Sequence, residues 1–312
     1  MTKARRGIYA AAISPFNKNY RLEHSKLTDY CSYLLTDGGC DGVAPIGTTG
    51  EGSSISIEDR VSLPKSLCDA GIPCDRVMVG TGNSSTPDAA RISKAALEYG
   101  YVNQLVLPPF YYKSVSDDGL YDYFSFMIDT INSDKLRIYL YHFPQVSQVP
   151  ISVDLVVRLK KEFGPIIAGL KDSSGDFSQS AAFAQATGGI EKDFDVYPSS
   201  EAFYFKGIDA GCAGIISGST NVFATLVQAA IKAPDGPDSK EFKKVVEARS
   251  FIGGFNLMAA MKSAEANRIG DADWERLAPP LRPLKPEEKQ KLYSFLRNFC
   301  ELGGDSNGWT DR

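Results

Sequence analysis

Short apolar runs of strand length recur along the chain at 8–13, 42–46, 77–80, 104–107, 137–141, 166–170, 194–197 and 213–216. Each is followed by a longer stretch whose apolar residues fall at helical spacing, at 24–35, 57–69, 87–99, 119–131, 153–163, 179–186, 201–209 and 222–231. Glycines close several of these helices before the next strand, as in Asp37-Gly38-Gly39, Ala70-Gly71, Tyr99-Gly100 and Phe163-Gly164. Strict alternation implies parallel strands joined by right-handed crossovers. Eight such units within about 230 residues predict a closed (β/α)8 TIM barrel rather than an open doubly wound sheet. An open sheet would also carry a glycine-rich phosphate turn after its first strand, and Ile13-Ser14-Pro15-Phe16 is not one.

Ala233-Pro234-Asp235-Gly236-Pro237 breaks the pattern, and three further helical stretches follow near 239–253, 256–269 and 286–302. The expected organisation is a barrel catalytic domain over 1–233 and a C-terminal helical appendage over 234–312.

Composition narrows the function classes. At 43% hydrophobic and 23% charged residues, the 312-residue chain has the apolar content of a folded globular protein. A formal charge of −4 gives no global field for holding nucleic acid or an anionic membrane. No run of about eighteen apolar residues occurs, so no bilayer-spanning helix is expected. Arg5 and Arg6 ahead of the apolar run imitate a signal peptide only in outline, because the run stops at Ser14-Pro15; it reads as a first buried strand. Six cysteines without a C-x-x-C pair read as reduced thiols of a cytoplasmic protein. With His24 and His142 as the only histidines, a three-histidine metal site within one chain is excluded, and no metal or cofactor is expected.

In a barrel of this kind the chemistry lies at the C-terminal strand ends. After the second strand, Gly47-Thr48-Thr49-Gly50-Glu51 is a tight turn that can aim N–H groups and two hydroxyls at a small carboxylate, although an ordinary β-to-α turn has the same look. The fourth strand runs into Pro109-Phe110-Tyr111-Tyr112-Lys113, aromatic residues that either pack the rim or offer hydroxyls to the mouth. On the fifth strand Tyr139 and Tyr141 share one face, and His142 points the other way into a structural setting. Lys171 ends the otherwise apolar sixth strand, where desolvation would favour a nucleophilic free amine; the competing reading is a lysine that snorkels to water. Strands five and six are neighbours in a barrel, so Tyr141 and Lys171 should face one another, with Thr48 across the mouth. An amine, a phenol, a hydroxyl and an anion-binding turn describe imine chemistry on a 2-oxo acid.

These residues resemble the class I pyruvate-dependent aldolases and lyases of the dihydrodipicolinate synthase and N-acetylneuraminate lyase superfamily. The likeness rests on Gly47-Thr48-Thr49-Gly50-Glu51, Pro109-Phe110-Tyr111-Tyr112, Tyr141 with Pro144, and Gly169-Leu170-Lys171-Asp172. Gly214-Ile215-Ile216-Ser217 with Asn221 looks like the family's strand-eight segment.

The resemblance implies that Lys171 forms a Schiff base with pyruvate, and that Tyr141 shuttles protons through Thr48 and Tyr112, the last in some members from a neighbouring subunit. It also implies that Thr48 and Thr49, with Gly47 in the same turn, hold the pyruvate carboxylate, and that the protein is a homotetramer built as a dimer of dimers. Synthases of the family carry an arginine two residues after the strand-five proline. Val146 stands there, and it cannot grip a carboxylate. Sialic acid lyases carry two acids at the end of strand seven, where this chain has Ser199-Ser200-Glu201-Ala202. Ser200 and Glu201 therefore favour a polyhydroxylated 4-hydroxy-2-oxo acid as substrate, although Glu201 also fits as a first-turn helix acid. A dihydrodipicolinate synthase, a dehydratase acting through the same imine, and a non-catalytic binder remain the alternatives.

Overall fold

The computed structural model describes residues 4–301. The predicted alternation is present as a closed barrel of eight parallel strands, β1 (Gly7–Ala10), β2 (Gly42–Val43), β3 (Val79–Gly80), β4 (Asn103–Val106), β5 (Arg137–His142), β6 (Ile167–Asp172), β7 (Asp195–Pro198) and β8 (Gly214–Ser217). Continuous ladders join β2-β1-β8 and β3-β4-β5-β6-β7. A parallel bridge between Val43 and Val77 closes one seam, and the Ala213 N–H donating to Val196 O at 2.9 Å closes the other.

The helices around it are α1 (His24–Leu35), α2 (Ile57–Asp69), α3 (Thr86–Glu98), α4 (Asp117–Ile131), α5 (Pro144–Ser147), α6 (Val153–Phe163), α7 (Phe177–Thr187), α8 (Tyr204–Asp209) and α9 (Thr220–Lys232). Their starts have a local cause. Ser56, Ser85, Ser116 and Ser152 accept the free N–H groups of the first turns of α2, α3, α4 and α6. Three more helices follow, α10 (Lys240–Ile252), α11 (Leu257–Ile269) and α12 (Pro286–Glu301); the remainder of the predicted appendage, 302–312, lies outside the described residues. No helix among the described residues is long and apolar enough to cross a membrane.

Strand alternation divides the apolar side chains into an inner set and two outer sets. Tyr9, Ala44, Met78, Leu105, Tyr139 and Tyr141 fill the barrel, while Ile138, Leu140, Leu170 and Val196 pack outward beneath α4, α6 and α7. The other outer set lies on the β1, β2 and β8 side and includes Val245 and Ile252 of α10, Met261 of α11 and Leu292 of α12. The C-terminal helices thus share a core with the barrel wall.

Candidate active site

Strand β6 contains the decisive irregularity. Ile138 pairs with Ile167, but Tyr139 pairs with Gly169, so β6 carries one extra residue at Ala168. Ile167 and Leu170 pack outward while Ala168 packs inward, and the shifted register sets Lys171 directly beside Tyr141. Gly169 is required at the bulge, because a Cβ there would lie 2.2 Å from Asp195 O and 2.7 Å from the Tyr139 ring.

Lys171 is only 4% exposed, and its amine lies 4.4 Å from the centroid of the Tyr141 ring. Among the described residues it makes no ion pair. Asp172, next in the chain, points to the outer side and accepts from Ser180 Oγ at 2.6 Å and from the Ser174 N–H at 2.8 Å. His142 also faces outward, packing on Phe183 with ring centroids 5.5 Å apart, and its Nδ1 accepts from the Ile151 N–H at 3.0 Å. Burial lowers its pKa against the opposing charge of Asp172.

The turn after β2 is shaped by close backbone packing. Ile46, a β-branched residue, is left-handed at φ 52°, and Glu51 is left-handed at φ 55°. Glycines make room for this: a Cβ on Gly52 would sit 2.0 Å from Ile46 O, and one on Gly80 would sit 2.5 Å from it. Inside the turn the Glu51 N–H donates to Thr48 O at 3.0 Å and the Gly52 N–H to Gly47 O at 2.9 Å. One cavity at the mouth is lined by Gly47, Thr48, Arg60, Gly82, Leu107 and Tyr141. Tyr141 is common to this cavity and to the contact with Lys171.

Arg60 of α2 was not anticipated. Its guanidinium is buried and donates to Gly80 O at 3.1 Å and Gly82 O at 2.9 Å, and desolvation lowers its pKa to about 10. The signal available in sequence, a single arginine in an amphipathic helix, does not separate it from surface arginines.

The other predicted residues stand on several elements. Thr49 is buried beside Gly218, and Ile216 is buried inside the barrel on β8. Tyr112 is 73% exposed on the rim, edge-on to Tyr111 at 5.3 Å. Val146 is exposed on α5, which Lys113 ties to the rim by donating to Ser147 O at 2.8 Å. Ser200 is half-buried, whereas Glu201 is 1% exposed. Glu201 Oε1 accepts from Ser219 Oγ at 2.7 Å, and Oε2 lies 3.6 Å from Arg249 Nε of α10. Asn221 knits strand eight to strand one, donating to Ala11 O at 2.8 Å and accepting from the Tyr30 hydroxyl at 2.9 Å. Among the described residues no three His, Cys, Asp or Glu side chains gather as a metal site requires.

Comparison with known proteins agrees with this fold. The profile of the Dihydrodipicolinate synthetase family matches residues 4–298. An uncharacterized DapA-like lyase of Chloroflexus aurantiacus is 31% identical over 291 residues, 92% of this chain and 94% of that one. The crystal structure of dihydrodipicolinate synthase from Agrobacterium tumefaciens superposes with a TM-score of 0.83 at 31% identity, covering 96% of this chain and 99% of that one. The 2-keto-3-deoxygluconate aldolase of Sulfolobus sulfataricus shares the fold, with a TM-score of 0.82 at 21% identity and coverage of 98% and 100%. The chain belongs to the dihydrodipicolinate synthetase family, and it is an enzyme of the class I, pyruvate-dependent Schiff-base lyases.

Proposed function

We propose that the protein is an aldolase that reversibly cleaves a 4-hydroxy-2-oxo acid of the keto-deoxy sugar acid or N-acetylneuraminate type into pyruvate and an aldehyde. The observation that carries this reading is the buried Lys171 amine over the Tyr141 ring, with Tyr141 and Thr48 on one cavity. In the synthetic direction the amine adds to C2 of pyruvate, and loss of water leaves an imine. The imine acidifies C3, and loss of a proton there gives an enamine. The enamine carbon attacks the aldehyde carbon, Tyr141 protonates the resulting alkoxide, and water hydrolyses the imine to free product and amine. Thr48 relays the proton between Tyr141 and the mouth, and the Gly47-Thr48-Thr49 turn receives the pyruvate carboxylate.

Tyr112 joins that relay from a partner subunit of a homotetramer; its 73% exposure on the rim suits a residue completed by another copy. Ile216 forms the apolar floor of the site. Ser200 and Glu201 read hydroxyls of the substrate tail, Glu201 through Oε2, which accepts no hydrogen bond among the described residues. Val146 is the reason to prefer a neutral, hydroxylated tail over a second carboxylate. The competing reading is a 4-hydroxy-tetrahydrodipicolinate synthase. It is favoured by the name of a Methanosarcina acetivorans relative, 28% identical over 300 residues.

Purified protein assayed with 2-keto-3-deoxy sugar acids, N-acetylneuraminate, 4-hydroxy-2-oxoglutarate, and pyruvate plus aspartate semialdehyde separates the two. Pyruvate release from a sugar acid is expected. Efficient consumption of pyruvate with aspartate semialdehyde, without sugar acid cleavage, would replace this reading by the synthase.

A further inference from the structure

Two acids on loops at the barrel mouth are met by cations from the C-terminal helices: Glu201 by Arg249 of α10, and Glu51 by Lys262 of α11. The second pair is the more enclosed, with both side chains fully buried. Glu51 Oε1 binds the Lys262 ammonium, and Oε2 accepts the Ala278 N–H at 2.8 Å. The ammonium also donates to Arg276 O at 2.6 Å and lies 4.3 Å above the Phe16 ring. The Glu51 carboxylate is therefore held entirely by the C-terminal segment, while its backbone N–H bonds Thr48 O inside the turn.

Two features give this anchor a task. The turn contains two non-glycine residues in left-handed backbone, Ile46 and Glu51, a conformation that persists only where the surroundings over-determine it. In addition, a carboxylate inside a turn that is to receive a carboxylate would repel it unless a fixed cation cancels its charge. We propose that Lys262 is a positioning residue of the active site: acting through Glu51, it holds the turn in the conformation in which Thr48 and Thr49 receive the substrate carboxylate. The inference rests on the role given above to Thr48 and Thr49. It makes the C-terminal helices a determinant of pyruvate affinity and leaves the chemistry to Lys171.

The test uses the full-length protein, with pyruvate as the probe and borohydride to trap the imine. In Lys262→Met the pyruvate concentration for half-maximal trapping should rise by about tenfold or more, while trapping at saturating pyruvate still falls on Lys171. In the double variant Glu51→Gln/Lys262→Met the repulsive charge is gone but the anchor is not restored, so the rise should be about threefold. The double variant also serves if the single one does not fold. A half-saturation equal to wild type, with only the thermal midpoint lowered, would reduce Lys262 to a fold-holding role and overturn the proposal. Amide exchange of the peptide spanning 44–54, read by mass spectrometry, separates this failure from that of the underlying function. Should wild-type protein not be trapped by pyruvate at all, the aldolase reading fails. Faster exchange at 44–54 in the variants then still supports the anchor, and unchanged exchange sinks it.

Discussion

At the N-terminal end of the barrel interior, buried Asp195 accepts from Arg6 Nε at 2.9 Å and from the Tyr139 hydroxyl at 3.4 Å, and the Tyr9 hydroxyl donates to Arg5 O at 2.7 Å. At the mouth, two residues beyond Tyr139 on β5, the Tyr141 ring carries Lys171 of the neighbouring β6, which has no acid partner among the described residues. Both ends carry tyrosines and a buried charged group on a barrel strand; Asp195 is paired with Arg6, whereas Lys171 makes no ion pair among the described residues. Burial and the nearby carboxylates push the Tyr9, Tyr139 and Tyr197 hydroxyls far up, so these phenols stay protonated, and those of Tyr9 and Tyr139 act as donors. A charge matched by an opposite charge consolidates the fold. One left unmatched at a strand end is available to a substrate.

The sharpest way to break this contrast is to exchange residues across it. Lys171→Ala should reduce pyruvate-borohydride labelling and turnover to background, since the covalent step has no substitute. Tyr141→Phe should lower turnover by about 10²-fold while leaving trapping detectable, because proton transfer is lost and the amine is not. Tyr139→Phe, the same substitution two residues toward the base, should leave turnover within about threefold and cost about 1 kcal/mol of stability for its hydrogen bond. Steady-state rates and urea midpoints on the three variants decide the matter; equal kinetic losses for Tyr139→Phe and Tyr141→Phe would erase the division between base and mouth.

The barrel itself was legible because eight apolar runs and eight helical patterns obey different periods, and tertiary context overrides neither. Tyr139, Tyr141 and the outward His142 followed from alternation alone. Lys171 is different. Counting in twos from the outward Ile167 sets Lys171 on the outer face with it; the bulge at Ala168 reverses that, and an interior glycine at 169 announces an irregularity without saying where the extra residue goes. Pairing it with Tyr141 relied on strand adjacency and family resemblance. Lys262 lay in view as a lone cation in Ala259-Ala260-Met261-Lys262-Ser263-Ala264, but its partner is 211 positions away. No local pattern encodes that separation. Glu201 was legible as an acid at a strand end, while its enclosure by Ser219 and Arg249 depends on how α10 packs back on the barrel.

A smaller effect tests the base end from the opposite side. Asp195→Ala removes the acceptor of both Arg6 and Tyr139, leaving one buried hydroxyl without its partner. Arg6 is partly exposed and recovers water, which limits the loss. Stability should fall by about 2 kcal/mol in urea denaturation, with half-saturating pyruvate and turnover unchanged at temperatures where the variant is folded. A kinetic defect in a folded Asp195→Ala protein would mean that the base network sets the mouth geometry, and the two ends would have to be treated as one site.

The smallest expected effect concerns pH and the outer face of β5. His142 is held below its ordinary value of 6.5 by burial against Phe183, with Asp172 opposing. The folded protein therefore resists protonation at this ring, whereas the unfolded chain takes up a proton near 6.5. The stability His142 contributes is complete above that value and is lost as the pH falls through it toward the folded pKa. His24, also lowered by burial, adds a loss of the same sign. Each unit of depression corresponds to about 1.4 kcal/mol. In His142→Asn the side-chain oxygen can replace Nδ1 as acceptor of the Ile151 N–H without titrating, so the drop in urea-unfolding free energy between pH 7.5 and 5.5 should shrink relative to wild type. The pH dependence of turnover should stay where it was, since this ring faces away from Lys171 and Tyr141. A turnover profile that moved with His142→Asn would make the histidine part of the proton path and would extend the mouth through the strand to its outer side.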